Sequence, residues 1–281
     1  MLNLQNSIKL DTESLKLFIN NPNFGLIDSE AESLVTYAES ADFLSKALKK
    51  SNLRFVFSKD FGFKDKRIII VDNPGYVFWS LAEFNSRIFY NNLSPTIIHE
   101  KAVVEDGAMV SKHGVIISSG SIIRSGARIL PNVKIGKNCD IGQNSIIGSD
   151  GFQVKDTAFG YVRIKHDAGV IINDEVEVGG LCTINAGLLG HATKIDEKAK
   201  IDCKVHVAHS CCIGSKCVIA ANATLGGNSV LKSSIFVGLN AVIVNRVHVA
   251  SNSYIAANAT VARSILTPVK VIGFPGKEIR L

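Results

Sequence analysis

An Ile, Val or Leu returns at every sixth position over long stretches of this chain. It opens a six-residue unit at Ile98, Val104 and Val110, from Ile117 to Ile147, at Ile172, Val178 and Ile184, and from Ile195 to Val261, twenty-four times in all. The period is too long for a helix face and too regular for strands joined by ordinary turns. Each unit therefore reads as one short strand plus a corner of a solenoid. Three units make a triangular coil of eighteen residues, which predicts about eight coils. The opener points inward, and the residue four later shares the same narrow interior: Ala102, Ser121, Cys139, Val176, Cys182, Cys211, Cys217 and Ala241 are examples, few bulkier than Val. A small residue often follows the opener, as at Gly136, Gly142, Gly148, Gly179, Gly214, Gly226 and Gly238, and a tight corner is expected there.

The repeat is interrupted at residues 149–170 and again at 185–194. A purely mechanical rod has no need of such breaks, and loops thrown out of a rigid solenoid are where binding chemistry is built. Before Ile98 the hexad is absent. Short helices are predicted over Asp11–Phe18 and Ala41–Lys50, and strands over Leu53–Ser58 and Arg67–Val71. A turn at Asp72-Asn73-Pro74 leads into an amphipathic helix from Tyr76 to Tyr90 that carries Phe78, Trp79, Leu81 and Phe84. The chain divides into an α/β domain over residues 1–96, a solenoid over 97–266 and a tail over 267–281.

With 281 residues, 46% of them hydrophobic, the chain has ample material for a sizeable core. The net charge of +6 suits an anionic small ligand such as a nucleotide diphosphate or a phosphopantetheine donor. No Lys/Arg run with interleaved aromatics points to nucleic acid. The N-terminus lacks a basic start followed by an apolar stretch, and no segment reaches the roughly 18 apolar residues of a membrane span, so a cytoplasmic protein is expected. Cys139, Cys182, Cys211 and Cys217 fall on the inward small position, where Cys acts as a small hydrophobe, while Cys203 and Cys212 point outward. Without a CxxC pair, free thiols are expected rather than disulfides or zinc.

Three stretches carry a family likeness. RIIIVDNPGYVFWSLAEF runs at once into SPTIIHEKAVVEDGA; Gly148-Ser149-Asp150-Gly151-Phe152 stands at the first interruption; and Lys200-Ile201-Asp202 precedes Val207-Ala208-His209, with His seven residues after Asp. Together they resemble UDP-3-O-acylglucosamine N-acyltransferase, among the hexapeptide-repeat acyltransferases. The resemblance implies a mainly β, left-handed parallel β-helix behind a small uridine-binding α/β domain, although general topology would favour a right-handed connection. It implies His209 as general base, Gly227 as the backbone oxyanion donor, and Asp150, Gly151, Phe152 and Asp202 as contacts to the acceptor sugar. The coil length agrees: eighteen residues beyond His209 stands Gly227, and a further eighteen beyond stands Asn245. A Gly leaves room for a thioester arm and exposes an N–H to a tetrahedral oxyanion, and an imidazole near neutrality suits deprotonation of a sugar ammonium.

Departures from the family pattern are equally specific. His206 stands where the family has Gln, Asn185 where it has Asp, and Arg246 where it has a second His. Where the family sandwiches uracil, the chain has Thr36, Tyr37, Glu39 and Asp42. The closing Val271-Ile272-Gly273-Phe274-Pro275-Gly276-Lys277 resembles coenzyme A-dependent sugar acetyltransferases, with Asn245, Lys270, Lys277 and Arg280 as candidate donor contacts. His191, His206, His209 and His248 do not have the spacing of γ-class carbonic anhydrases, and no metal site is expected.

These readings combine into a homotrimer with active sites in the grooves between subunits. It would transfer an acyl group from a thioester to the amine of a nucleotide-linked amino sugar, with no permanently bound cofactor and with acyl-CoA as the co-substrate. One alternative is UDP-3-O-acylglucosamine as acceptor with acyl carrier protein as donor. The other is an idle homologue that only binds nucleotide sugar.

Overall fold

The structure, a computed structural model, describes residues 32–273 together with Lys16, Phe18, Phe24, Gly25, Leu26 and Ser29. It separates into two compact units, one formed by residues 1–92 and 152–167 and the other by residues 93–151 and 168–281.

The first unit is a three-stranded parallel sheet with helices. Strand β1 (Leu34–Ala38) pairs with β2 (Leu53–Ser58), which pairs with β3 (Ile68–Ile70). Helix α1 (Ala41–Leu48) starts on Ser40, whose side chain accepts from the Phe43 N–H. Helix α2 (Pro74–Asn91) starts on Asn73, whose side chain accepts from the Tyr76 N–H, with Pro74 in the first turn. Of the predicted helix Asp11–Phe18, only Lys16 and Phe18 lie among the described residues, both helical. Strand β1 has no counterpart in the sequence reading. It is only five residues long and carries Thr36 and Tyr37 mid-run, yet parallel pairing buries Leu34, Val35 and Thr36 completely.

The second unit is a left-handed parallel β-helix. Its strands form three sheets: eight strands from Ile97–Ile98 to His248–Val249, nine from Val103–Val104 to Lys270–Val271, and eight from Met109–Val110 to Thr260–Val261. Within uninterrupted stretches, partners lie eighteen residues apart, as in Val207↔Leu225 and Ile243↔Val261. This is the predicted number of coils, with one further strand at the end of the second sheet. The openers and the small residues four later form one continuous core, from Val115 to Val261. In the first coil Ile98 and Val104 are exposed, since no coil precedes them.

The corners differ from expectation. The tight turn does not fall on the residue after the opener but on the third, which takes a left-handed backbone at Asn138, Asn144, Lys198, Lys204, Asn222, Asn228, Asn240, Arg246 and Asn258 among others. Asn tolerates this conformation and recurs there. The glycines after the opener have another cause. All but Gly148 have ordinary φ, and a Cβ on Gly142 or Gly226 would run into the backbone of the next coil.

The inward small residues also do more than fill space. Ser121 Oγ donates to the Gly136 carbonyl at 2.7 Å, Ser145 Oγ to Gly179 at 2.7 Å, and Cys182, Cys211 and Cys217 Sγ to Asp202, Gly226 and Lys232 at 3.0 to 3.1 Å. Each time the donor lies one coil below the corner carbonyl that accepts from it. Burial pushes the Cys182 and Cys211 thiols up to about 11.

The first interruption is a β-hairpin, Val154–Thr157 against Gly160–Arg163. Residues 152–167, which lie within the span 97–266 assigned to the solenoid domain, group instead with the first unit. The hairpin is tied to α2: the Ala158 N–H donates to Ser80 Oγ, the Lys165 N–H to Glu83 Oε2, and Tyr90 Oη donates to the His166 carbonyl.

Candidate active-site edge

Three edges run along the β-helix, and the one between the third and first sheets gathers most of the predicted site. It is built from Ser149-Asp150, the second interruption, and the corners at Ala208-His209-Ser210, Gly226-Gly227-Asn228 and Val244-Asn245-Arg246. Successive corners stack, with Asn228 N–H donating to the His209 carbonyl and Arg246 N–H to the Gly227 carbonyl, both at 2.9 Å.

His209 follows the strand His206–Val207. Val207 is fully buried, and the half-buried imidazole two residues on lies against Gly227. A Cβ at Gly227 would come within 2.6 Å of His209 Nε2 and 2.8 Å of Cε1. A side chain there would have to push the imidazole aside. The same corner position offers its amide outward: at Ser125, Lys137 and Cys203 that N–H donates to the carboxylates of Glu105, Asp174 and Asp202. At Gly227 it takes no partner among the described residues. The imidazole thus lies where a Gly227 side chain would stand, next to a backbone amide that could serve as an oxyanion donor.

The second interruption leans on the His209 corner. Leu188 N–H donates to Ser210 Oγ at 3.1 Å, and Ser210 N–H to Thr193 Oγ1 at 2.8 Å. Gly187 pairs with Gly169, and a side chain there would collide with the His191 carbonyl. Asn185 is buried, and its amide donates to Ser149 Oγ at 2.9 Å and to the Ser149 and Asp150 carbonyls. It therefore holds the exit of the first interruption in place. The sequence reading missed Thr193 and Ser210, ordinary hydroxyls with no motif to mark them, and gave Ser149 no role although it stands within a quoted motif.

The other predicted residues lie elsewhere. His206 sits on the outward side of the third sheet between Thr183 and Thr224, and burial pushes its imidazole pKa down. Asp202 lies on the next edge, after the second sheet, where its carboxylate accepts from the Cys203 N–H at 2.7 Å. One chain does not bring Asp202 and His209 to the same edge. Asp202 borders instead a cleft of about 620 Å³ with Arg124, Asp140, Glu177, Lys200 and Cys203. Asn245 and Arg246 are exposed on the His209 edge. Lys270 is in the last strand of the second sheet, its ammonium 5.3 Å from the Tyr254 ring centre. Gly151 closes the second unit, and Phe152 belongs to the first. Lys277 and Arg280 lie outside the described residues. No group of three or more potential metal ligands occurs among the described residues.

The model of the bacterial transferase hexapeptide (six repeats) matches residues 114–149 and 192–227. The chain carries the hexapeptide repeat. It also resembles the UDP-3-O-acylglucosamine N-acyltransferases. That of Helicobacter hepaticus is 41% identical over 66 residues, 23% of this chain and 20% of the relative; "UDP-3-O-acylglucosamine N-acyltransferase 2" of Nitrobacter winogradskyi is 44% identical over 69 residues, 25% and 20%. The match thus spans about a fifth of the length of these curated relatives. Among solved structures, the UDP-N-acetylglucosamine acyltransferase from Campylobacter jejuni is similar at TM-score 0.50 and 29% identity, over 60% of this chain and 68% of that one. The likeness agrees with the β-helix described above. No helix among the described residues is long and apolar enough to cross a membrane.

Proposed function

We propose that this hexapeptide-repeat chain is an N-acyltransferase that moves an acyl group from a thioester to the amine of a nucleotide-linked amino sugar, for surface polysaccharide or lipid A. The reading rests on the contact between the His209 imidazole and Gly227. His209 removes a proton from the sugar ammonium, and the freed amine attacks the thioester carbonyl. The Gly227 N–H receives the oxyanion of the tetrahedral intermediate; collapse expels the thiolate, which takes up the proton held by His209, and the imidazole so freed accepts the second proton from the nitrogen, leaving a neutral amide and a protonated His209. No acyl-enzyme is needed. The resemblance to named sugar N-acyltransferases supports the same chemistry.

The donor in this reading is a coenzyme A thioester. Arg246, exposed one coil beyond Gly227, places a cation where an anionic donor would run along the edge. A second reading, favoured by the names of the curated relatives, takes UDP-3-O-acylglucosamine as acceptor and acyl carrier protein as donor. The working form is a homotrimer in the cytoplasm. Because Asp202 and His209 occupy different edges, a site that uses both takes them from adjacent protomers across a groove.

The test is an acylation assay with UDP-3-O-acylglucosamine and a panel of nucleotide-linked amino sugars, each offered coenzyme A and carrier-protein thioesters. Turnover of an amino sugar that His209→Ala abolishes without loss of acceptor binding supports the proposal. Acceptor binding without turnover under any donor would leave a binding protein only. Light scattering should give about three times the 30.2 kDa chain mass.

A further inference from the structure

The hairpin inserted at the first interruption carries aromatic side chains that its own fold does not use. Phe152 is 82% exposed and Tyr161 80% exposed. Their backbone is nonetheless well anchored, through the bonds to Ser80, Glu83 and Tyr90 and through Ser86 Oγ donating to Asp167 Oδ2 at 2.6 Å. The two faces of the hairpin divide the work. Thr157, on one face, is buried, and Lys155, on the same face, sets its ammonium 5.2 Å from the ring centre of the buried Trp79 of α2. The other face holds Val154 opposite Arg163 and Asp156 opposite Tyr161, since side chains alternate along a strand. Arg163, exposed, lies 5.6 Å over the Phe152 ring. One firmly held surface therefore presents two open aromatic rings, a guanidinium and a carboxylate.

Of the residues at the place where the family resemblance puts uracil, Glu39 and Asp42 are exposed but neither is aromatic. Thr36 is fully buried in β1, and Tyr37 turns its ring onto Phe78 at 4.8 Å and Trp79 at 6.4 Å.

We propose that the hairpin face formed by Phe152, Asp156, Tyr161 and Arg163 is the nucleotide-binding platform, taking a nucleoside diphosphate. The inference rests on the reading above that the acceptor carries a nucleotide. Tyr161 and Phe152 offer π-faces to the base. Asp156, the cross-strand neighbour of Tyr161, accepts from ribose hydroxyls, as carboxylates do in other nucleotide sites. Arg163 meets the diphosphate with a planar donor fork. The carboxylate among these groups favours a ligand with hydroxyls over a bare polyanion or an anionic lipid surface.

Calorimetry on the full chain with UDP, uridine and pyrophosphate tests this. UDP should bind, pyrophosphate far more weakly. Tyr161→Ala and Phe152→Ala should each weaken UDP about tenfold, with thermal unfolding unchanged because both side chains are exposed. Arg163→Gln should weaken UDP but leave uridine nearly unaffected, and Asp156→Asn should weaken both. In the acylation assay the same variants should raise KM for the nucleotide sugar and spare kcat. Equal UDP affinity in wild type and the Phe152/Tyr161 double variant would overturn the platform, as would equal KM, even if acyl transfer stands. Binding of these residues to phosphatidylglycerol vesicles without UDP binding would overturn it too. Conversely, UDP binding lost on these substitutions in a protein that acylates no sugar would keep the platform and sink the acyltransferase reading.

Discussion

The absence of one side chain, at Gly227, lets the His209 imidazole lie where it does. Gly227 has an ordinary φ, so its backbone would accept Ala; what would not accept it is the imidazole of His209. Gly227→Ala should therefore lower kcat about a hundredfold by displacing the ring from its working position, with circular dichroism unchanged. The coupling is measurable apart from catalysis. Placed in a His209→Ala background, the same substitution should lose most of its effect on thermal stability, because the atoms it strikes are gone. Additive losses of stability would break the link between the two residues. His206 has a separate signature. Burial lowers its pKa below the ordinary 6.5, so the unfolded chain binds the proton more readily than the folded one. Stability should hold above that value and decline as pH falls through it, and His206→Gln should flatten the decline, read from melting curves between pH 7.5 and pH 5. The pairing of His209 with Gly227 was legible because eighteen residues close one coil, so addition alone stacks them. The same count separates Asp202 from His209, since they follow the consecutive openers Ile201 and Val207, although the family motif draws them together. What no spacing reveals is that Asn185 spends its amide on Ser149 and Asp150.

At the scale of the element, each corner is a local conformational demand repeated by every unit. Asn meets it comfortably, but Leu181 holds φ 60° with a β-carbon and an exposed side chain. Leu181→Asn should stabilise the protein by about 1 kcal/mol, seen as a rise in Tm; an unchanged or lower Tm would mean that the Leu side chain makes contacts worth more than its strain. The strands themselves were easy to read, because every sixth residue must be apolar for the coil to close. The corner was misplaced by two residues because glycines draw attention wherever they stand, and those after the opener answer to the neighbouring backbone rather than to φ. Strand β1 escaped notice for the opposite reason: its burial comes from pairing with β2, a contact about twenty residues away, and not from any local period.

At the scale of the whole molecule, thiol chemistry reports on the β-helix as a unit. Cys203 is exposed, Cys212 half-buried, and Cys139, Cys182, Cys211 and Cys217 lie inside. An aromatic disulfide reagent should titrate Cys203 at once and Cys212 more slowly, and the remaining four only in denaturant. Early reaction of the inner group would show that the coils open independently. The inner thiols and hydroxyls have a further property. The bonds from Ser121, Ser145, Cys182, Cys211 and Cys217 to Gly136, Gly179, Asp202, Gly226 and Lys232 all point from one coil to the following one. In these interior side-chain bonds the two ends of the β-helix are consequently unlike, one offering hydroxyl and thiol donors and the other the carbonyls that accept from them. If a truncation bares both ends, like will not meet like across a two-fold axis; the top of one molecule will match the bottom of the next, and the product will be an open filament and not a closed dimer.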